Sequence, residues 1–554
     1  MQHRVVVFTL ALTALGCLPA LASGCTAGRE RVDDAGPGSG HDTGHVTMMH
    51  PDAYFAPVDT DIVTASAPAD APTRFGGTPV ASRAPELVYP LDNVVVPPNL
   101  SQLEFHYLPN GGTVFQLAIS AGASHVRIYF GCPETVGAGC VFMPDYPTWM
   151  VMSNAARGRG PITYVLRSVD ASGALGETAS RTIRFTAEDV TGGMYYWTPG
   201  FMGAINRFEF GVPGARAERF LSLGDTGAHM CVGCHELSRD GSRIGVGTDT
   251  PTTTFQVFDI GTRTRIFSLT GHGTGGLGGP IQSNFTSFAP DNSQIVGSSL
   301  TGLRFLSGAD GTLLESGVTG GAASMPNWSP DGQHIVYVAY PGRSVLGLFD
   351  ETGVTSGSVT RLDNIGGAWT VGPTLVQSTG NNNFHPSYSP DGDFVIFNRS
   401  PGNVSSLGED PMGGTSRIGD AEMWFVSSDG AGAAVSMDTC HGLSDAWPRF
   451  NPTSFDDGGH PLFWMVWASR RGYGLRLDTD TRSQLWMAAF DPTQAAAGHD
   501  PSSVPFWVPF QDMTLANHLA QWVTTVQRRT CSSNGDCGGE FCVDGRCFQQ
   551  EPLI

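Results

Sequence analysis

The chain has 554 residues, 40% of them apolar and only 15% charged, with 72 Gly and 37 Pro. That length suits roughly two to four domains, and the turn-rich composition favours short strands over long helices. A net charge of −20 excludes a nucleic-acid binder, because a polyanion does not seek phosphate backbones. All 31 basic residues are Arg, so lysine nucleophiles and Schiff bases are excluded as well.

Residues 1–25 carry a targeting pattern. A basic head, "MQHR", precedes the apolar run "VVVFTLALTALGCLPALA", which ends in "ASGC" at Cys25. Gly16 and Pro19 interrupt the run, so a membrane-spanning anchor is not expected. The small residues before Cys25 resemble a bacterial lipoprotein signal, although Ala22 stands where Leu is usual. The resemblance implies export, lipidation of Cys25 and attachment to the membrane through the lipid alone. Ordinary secretion with nearby cleavage is the alternative. Thr26 after the cysteine is not the Asp of inner-membrane retention signals, which favours the outer membrane over other exported locations. Export also lets disulfides persist.

Residues 26–80 lack any apolar period and are rich in Gly, Pro, Asp and Thr, the composition of a disordered tether. Residues 85–190 read as a β-sandwich. Runs such as "LEFHYL", "TVFQLAIS", "SHVRIYF" and "ITYVLRSV" are separated by turn residues. The architecture looks immunoglobulin-like or fibronectin-like, and Cys132 and Cys140 flank a short loop suited to a local disulfide.

Residues 193–527 contain a repeat. "HELSRDGSRIGVGT", "FTSFAPDNSQIVGSS", "PNWSPDGQHIVYVA" and "PSYSPDGDFVIFNR" each place Asp-Gly or Asp-Asn before an alternating apolar run, which is a hairpin signal. The aspartates are Asp240, Asp291, Asp331 and Asp391. "WPRFNPTSFDDGGHPLFWMVWASRRGYG" repeats the theme with an insertion. Repeats of this size, each carrying several strands, indicate propeller blades. The "SPDG" hairpins and "ASRRGYG" at the end of a blade resemble the TolB-like propellers, which implies six blades. Five are read directly. The sixth is expected to be shared between "MYYWTPGFMGAINRFEFG" and "SVPFWVPFQDMT", so that both ends close the ring. The expected fold is therefore all-β, a six-bladed TolB-like propeller preceded by the sandwich.

The last segment, 531–547, holds Cys531, Cys537, Cys542 and Cys547 and almost no apolar residues. It resembles small cysteine-rich modules of secreted bacterial proteins, held by two disulfides of unread connectivity, with a zinc site as the alternative.

The propeller begins at "HMCVGCHELSRDGSR", residues 229–243. Its CVGCH has the spacing of a c-type haem attachment site. Cys231 and Cys234 would carry the thioethers of one covalent haem c, and His235 would be the proximal iron ligand. A local disulfide, a zinc site and a redox dithiol are the other readings; the last needs a helix, and a hairpin follows instead. Aligning repeats on Ser238, Ser329 and Ser389 places Cys234, Met325 and His385 at one repeat position, four residues earlier. Innermost strands face the channel, so Met325 and His385 are candidates for the distal position. His229, His441 and His518 lack such an alignment. An open distal position would suit ligand binding or peroxide chemistry. The expected function is electron transfer or redox sensing, more plausibly than enzymic catalysis. A cofactor-free propeller that binds a protein or glycan, and a peroxidase-type haem enzyme, are the alternatives. The redox partner or cell-surface ligand is not legible.

Overall fold

The computed structural model describes residues 57–100, 102–199, 203–212, 215–228, 232–248, 254–270, 285–299, 301–341, 353–404, 406 and 421–549. Cys25, Cys231 and His229 lie outside the described residues. No helix among the described residues is long and apolar enough to cross a membrane.

Two sheets form the N-terminal unit. The larger runs in the order Asp59–Val63, Ser124–Phe130, Gly112–Ala121, Pro161–Asp170, Arg181–Phe185, Val94–Val96, with Leu175–Glu177 beside Pro161–Asp170. The smaller pairs Glu86–Tyr89, Phe105–Leu108, Gly139–Phe142 and Glu134–Val136. Their inner faces enclose aromatic residues, among them Phe130 stacked on Phe142 at 3.8 Å. A helix, Tyr146–Ala156, is capped by the Asp145 side chain accepting from the Thr148 N–H. Cys132 and Cys140 are bonded.

Part of the expected tether belongs to this unit. Asp59–Val63 adds to the sheet in parallel with Ser124–Phe130, and Phe75 packs on Tyr129. Five residues are too few to show an apolar period. Pairing with a strand more than sixty residues away, reinforced by ion pairs from Arg127 to Asp59 and Asp61, orders them.

Six sheets follow as blades. Blades one to four take their strands consecutively, with innermost strands Val232–Leu237, Thr286–Phe288, Ala323–Trp328 and Asn381–Tyr388. Blade five runs Ala446–Phe450, Pro461–Ser469, Gln484–Phe490, Phe506–Trp507. Blade six is shared between distant parts of the chain: Gly193–Thr198, Ala204–Glu209 and Glu218–Leu221 are its outer strands and His518–Val523 its innermost. The expected partner "SVPFWVPFQDMT" does not close the ring. Its Phe506–Trp507 is the outer edge of blade five, and "HLAQWV" closes instead. The reason is spacing: blade five still lacks a fourth strand when the chain reaches Phe506.

Side chains that cross between neighbouring blades tie the innermost strands together. The Ser287 hydroxyl accepts from the Trp328 N–H at 3.1 Å, Asn327 Oδ1 from the Tyr388 N–H at 2.8 Å, and Gln521 Oε1 from the Leu237 N–H at 2.8 Å. The last of these closes blade six onto blade one.

The sandwich is docked on the propeller by "RRGYGLR". The Glu104 carboxylate accepts from His106 Nε2 (2.8 Å), Tyr473 Oη (2.6 Å) and Arg476 Nε (2.7 Å). Leu475 N–H donates to His106 Nδ1, which fixes the histidine tautomer. Tyr473 stacks on Trp507 at 4.3 Å. The C-terminal module is closed by Cys531–Cys542 and Cys537–Cys547. Sulfurs of three of these cysteines lie close together, but all are consumed in disulfides, so the zinc alternative does not apply. Arg528, whose guanidinium lies over Phe548, pairs with Glu209 and Glu218 of blade six and anchors the module.

Two measurements check this reading. Asn327→Ala strands the buried Tyr388 N–H and should lower unfolding free energy by about 1–3 kcal/mol in a denaturant titration. Burial pushes the Glu104 carboxyl up, but hydrogen bonds from His106, Arg476 and Tyr473 outweigh this and hold it down to about 2. A depressed carboxyl stabilises the fold above its unfolded value, so that contribution should be lost as pH falls from about 4.3 towards 2. Glu104→Ala, which leaves Arg476 paired with Glu134 alone and strands the His106 and Tyr473 donors, should cost about 1–3 kcal/mol and flatten that acid limb of the stability curve. An unchanged limb would refute the assignment.

Candidate functional site

The six innermost strands enclose the channel, and five share one irregularity. Against its second strand each slips by one residue, at Gly233/Glu236, Ser324/Asn327, Phe384/Ser387 and Ala446/Arg449, and opposite Tyr195/Trp197 for the strand of blade six. The extra residue makes a β-bulge. The first bulge residue has a left-handed backbone each time: Cys234 (φ 47°), Met325 (54°), His385 (51°), Trp447 (53°) and Leu519 (51°). Such a φ costs a non-glycine residue about 1–2 kcal/mol and persists only where the surroundings impose it. Pro326, Pro386 and Pro448 follow in blades three to five, where the bulge needs no ladder N–H. His235 stands at that second position in blade one.

Five bulges at one level form a waist. Its residues, with Phe285 at the equivalent place in blade two, are buried. Side chains meet there across blades. The His385 ring lies 5.1 Å from Trp447 and 6.5 Å from Phe285, and Trp447 stands edge-on to His518 at 5.0 Å. The His385 N–H donates to Met325 Sδ at 3.3 Å. The structure thus brings Met325 and His385 together, with Cys234 at the same repeat position on blade one. Trp447 and His518 belong to this waist too. Aligning "AWPRFNP" on Asn451 would have found Trp447, four residues earlier; His518 sits on the strand whose pairing is not legible locally.

Two buried histidines have an asymmetric environment. His235 Nε2 donates to the Tyr195 carbonyl at 3.3 Å, turning the ring towards blade six, and Nδ1 has no hydrogen-bond partner among the described residues. His385 lies against a neighbouring amide. Asn398 Nδ2 donates to the Asp445 carbonyl at 2.9 Å, so its Oδ1 faces His385 Nδ1 at 3.3 Å and also accepts from the Trp447 N–H at 3.1 Å. The Trp447 N–H also points at His385 Nδ1, at 3.4 Å, so Nδ1 faces both a donor and an acceptor. Nε2 is buried and without a hydrogen-bond partner among the described residues. Burial lowers the pKa of His235 to about 3, helped by the Arg449 charge and opposed by the Tyr195 carbonyl. Burial, with Arg449 again, also holds His385 well below its ordinary value. Both rings are neutral at pH 7, the state in which an imidazole coordinates a metal.

The motif is packed tightly on blade six. Trp197 Nε1 donates to the Val232 carbonyl at 2.8 Å, and a Cβ at Gly233 would lie 3.0 Å from the indole. Cys440 is buried near Arg471, and burial pushes its thiol far up, which leaves it unreactive.

No protein-family model matches the sequence, and no curated protein matches it. Among solved structures the chain is similar to TolB from Acinetobacter baumannii, at 12% identity and a TM-score of 0.39, over 65% of this chain and 79% of that one. It is also similar to hydrazine synthase of Kuenenia stuttgartiensis, at 13% and 0.33, over 54% and 73%. A third is oligogalacturonate lyase of Vibrio parahaemolyticus, at 11% and 0.28, over 53% and 71%. The described residues form an all-β protein whose larger part is a six-bladed β-propeller.

Proposed function

We propose that this is an exported propeller carrying one covalent haem c at one end of its channel and acting in electron transfer or redox sensing. The observation that carries the reading is the pairing of the CVGCH spacing with a buried, neutral His235 whose second nitrogen has no partner. A ligating histidine needs one nitrogen held by an acceptor and the other open, and His235 has both. Cys231 and Cys234 would hold the group and His235 would ligate it. The donor set around the waist, imidazole and thioether, suits iron in such a group. When bound, the haem supplies one-electron chemistry; the chain supplies ligands, burial and exclusion of water. Lipidation at Cys25 would place the protein at a membrane surface without crossing it, in the periplasm or on the outer membrane.

The closed waist supports a second reading. Its six residues are fully packed, which favours a cofactor-free propeller that binds a protein or glycan on its outer face, with the CVGC segment as a structural clip.

A pyridine haemochrome spectrum separates the two. Protein exported from a host with c-type maturation should show a covalent c-type band, absent from a folded Cys231→Ala/Cys234→Ala variant. A folded parent without the band would overturn the haem reading in favour of the binding propeller.

A further inference from the structure

We propose that the C-terminal module is a redox-dependent clasp across the seam where the propeller ring closes. Glu540 holds it on blade one while its disulfides are intact, and reduction by a dithiol releases it. The clasp needs no haem.

The seam lies between blade six, whose strands come from distant parts of the chain, and blade one. Phe220, on the outer strand of blade six, is buried between two guanidiniums, Arg207 of its own blade at 5.1 Å and Arg263 of blade one at 5.4 Å. Arg207 is paired with Glu218 at 2.9 Å. Arg263 stands in the turn between Thr254–Asp259 and Arg265–Thr270, and Glu540 of the module pairs with it at 3.1 Å. Burial and the Arg207 and Arg529 charges disfavour the Arg263 cation, and Glu540 opposes them. Glu540 also holds Arg529 at 3.1 Å. One carboxylate of the module therefore offsets repulsion among three guanidiniums gathered at the seam.

The module grips the other side of the seam as well. Arg546 pairs with Glu209, and Arg528, just ahead of the module, pairs with Glu209 and Glu218. The Gln549 N–H donates to Glu218 at 3.1 Å, and Gln549 Nε2 donates to the Arg219 carbonyl on the outer strand of blade six.

Nothing apolar holds the module itself together. Its elements are one helical turn, Asn534–Cys537, and two three-residue strands, Phe541–Val543 and Arg546–Phe548. Its buried side chains are Cys537, Cys547 and Phe548, while Phe541 is 39% exposed. A short hairpin without a core does not persist in water, so Cys531–Cys542 and Cys537–Cys547 keep Glu540 and Arg546 in position. Cys531 and Cys542 are half-buried and the other pair is buried, so a reductant meets Cys531–Cys542 first. One thiolate of the dithiol attacks a sulfur of that bridge and forms a mixed disulfide. Its second thiol then displaces the cysteine. Two electrons and two protons pass to Cys531 and Cys542, which become thiols, and the dithiol becomes a disulfide. The clasp is therefore closed only in a compartment where disulfides persist.

Hydrogen exchange read by mass spectrometry on the full chain tests this. Replacing Cys531, Cys537, Cys542 and Cys547 together by Ser should quicken exchange in peptides covering Glu218–Leu221, Arg263 and His518–Val523 by about 10–100-fold, with blades three and four unchanged. Parent protein treated with a dithiol should behave alike and regain protection on reoxidation. Cys132→Ser/Cys140→Ser, which removes the sandwich disulfide alone, should leave the seam protected. Glu540→Gln, with both module disulfides intact, should quicken exchange around Arg263. An unchanged seam in the four-serine variant overturns the proposal, and so does an equal loss of protection in all six blades, which marks general destabilisation. A Glu540→Gln variant that exchanges like the parent overturns the role of Glu540.

Discussion

Hydrogen bonds between adjacent innermost strands are what the rest of the propeller depends on. Each blade has an inner edge that no further strand covers. Side chains two residues beyond the waist position leave their own blade and satisfy a backbone N–H of the next one, as Ser287, Asn327 and Gln521 do. A buried N–H left without a partner costs about as much as several ordinary hydrogen bonds contribute, so these few contacts fix blade-to-blade register more firmly than apolar packing alone. Because Gln521 comes from the far end of the chain, they also close the ring.

The bulges follow from the same constraint. An innermost strand must curve around a narrow channel and still present a polar side chain to its neighbour. One extra residue rotates the strand, and the left-handed φ at Cys234, Met325, His385, Trp447 and Leu519 is the local cost. Of those residues Met325, His385 and Trp447 meet one another at the waist. The architecture thus collects a thioether, an imidazole and an indole at one level without any loop having to place them. Asn398, held by its bond to the Asp445 carbonyl, ties His385 to the Trp447 backbone.

What was legible in the sequence was local. The hairpins announce themselves because Ser238 and Ser329 bond Asp240 and Asp331 two residues on, within the turn that the dipeptide dictates. The alignment of Cys234, Met325 and His385 follows from those turns by counting. The strand that closes blade six was not legible, because "HLAQWV" pairs with residues more than three hundred positions away and carries no turn signal of its own. Asp59–Val63 was missed for the same reason: its partner, not its composition, makes it a strand. The docking role of "RRGYGLR" depends on Glu104 in another domain and has no local trace. Asn398 sits in an unremarkable strand, and only the carbonyl of Asp445 reveals its orientation.

The most direct measurement is an anomalous difference map at the iron edge from crystals of protein matured with haem. The account predicts one iron peak per chain at one end of the channel, within coordination distance of His235. An iron-free channel with the waist intact would contradict it.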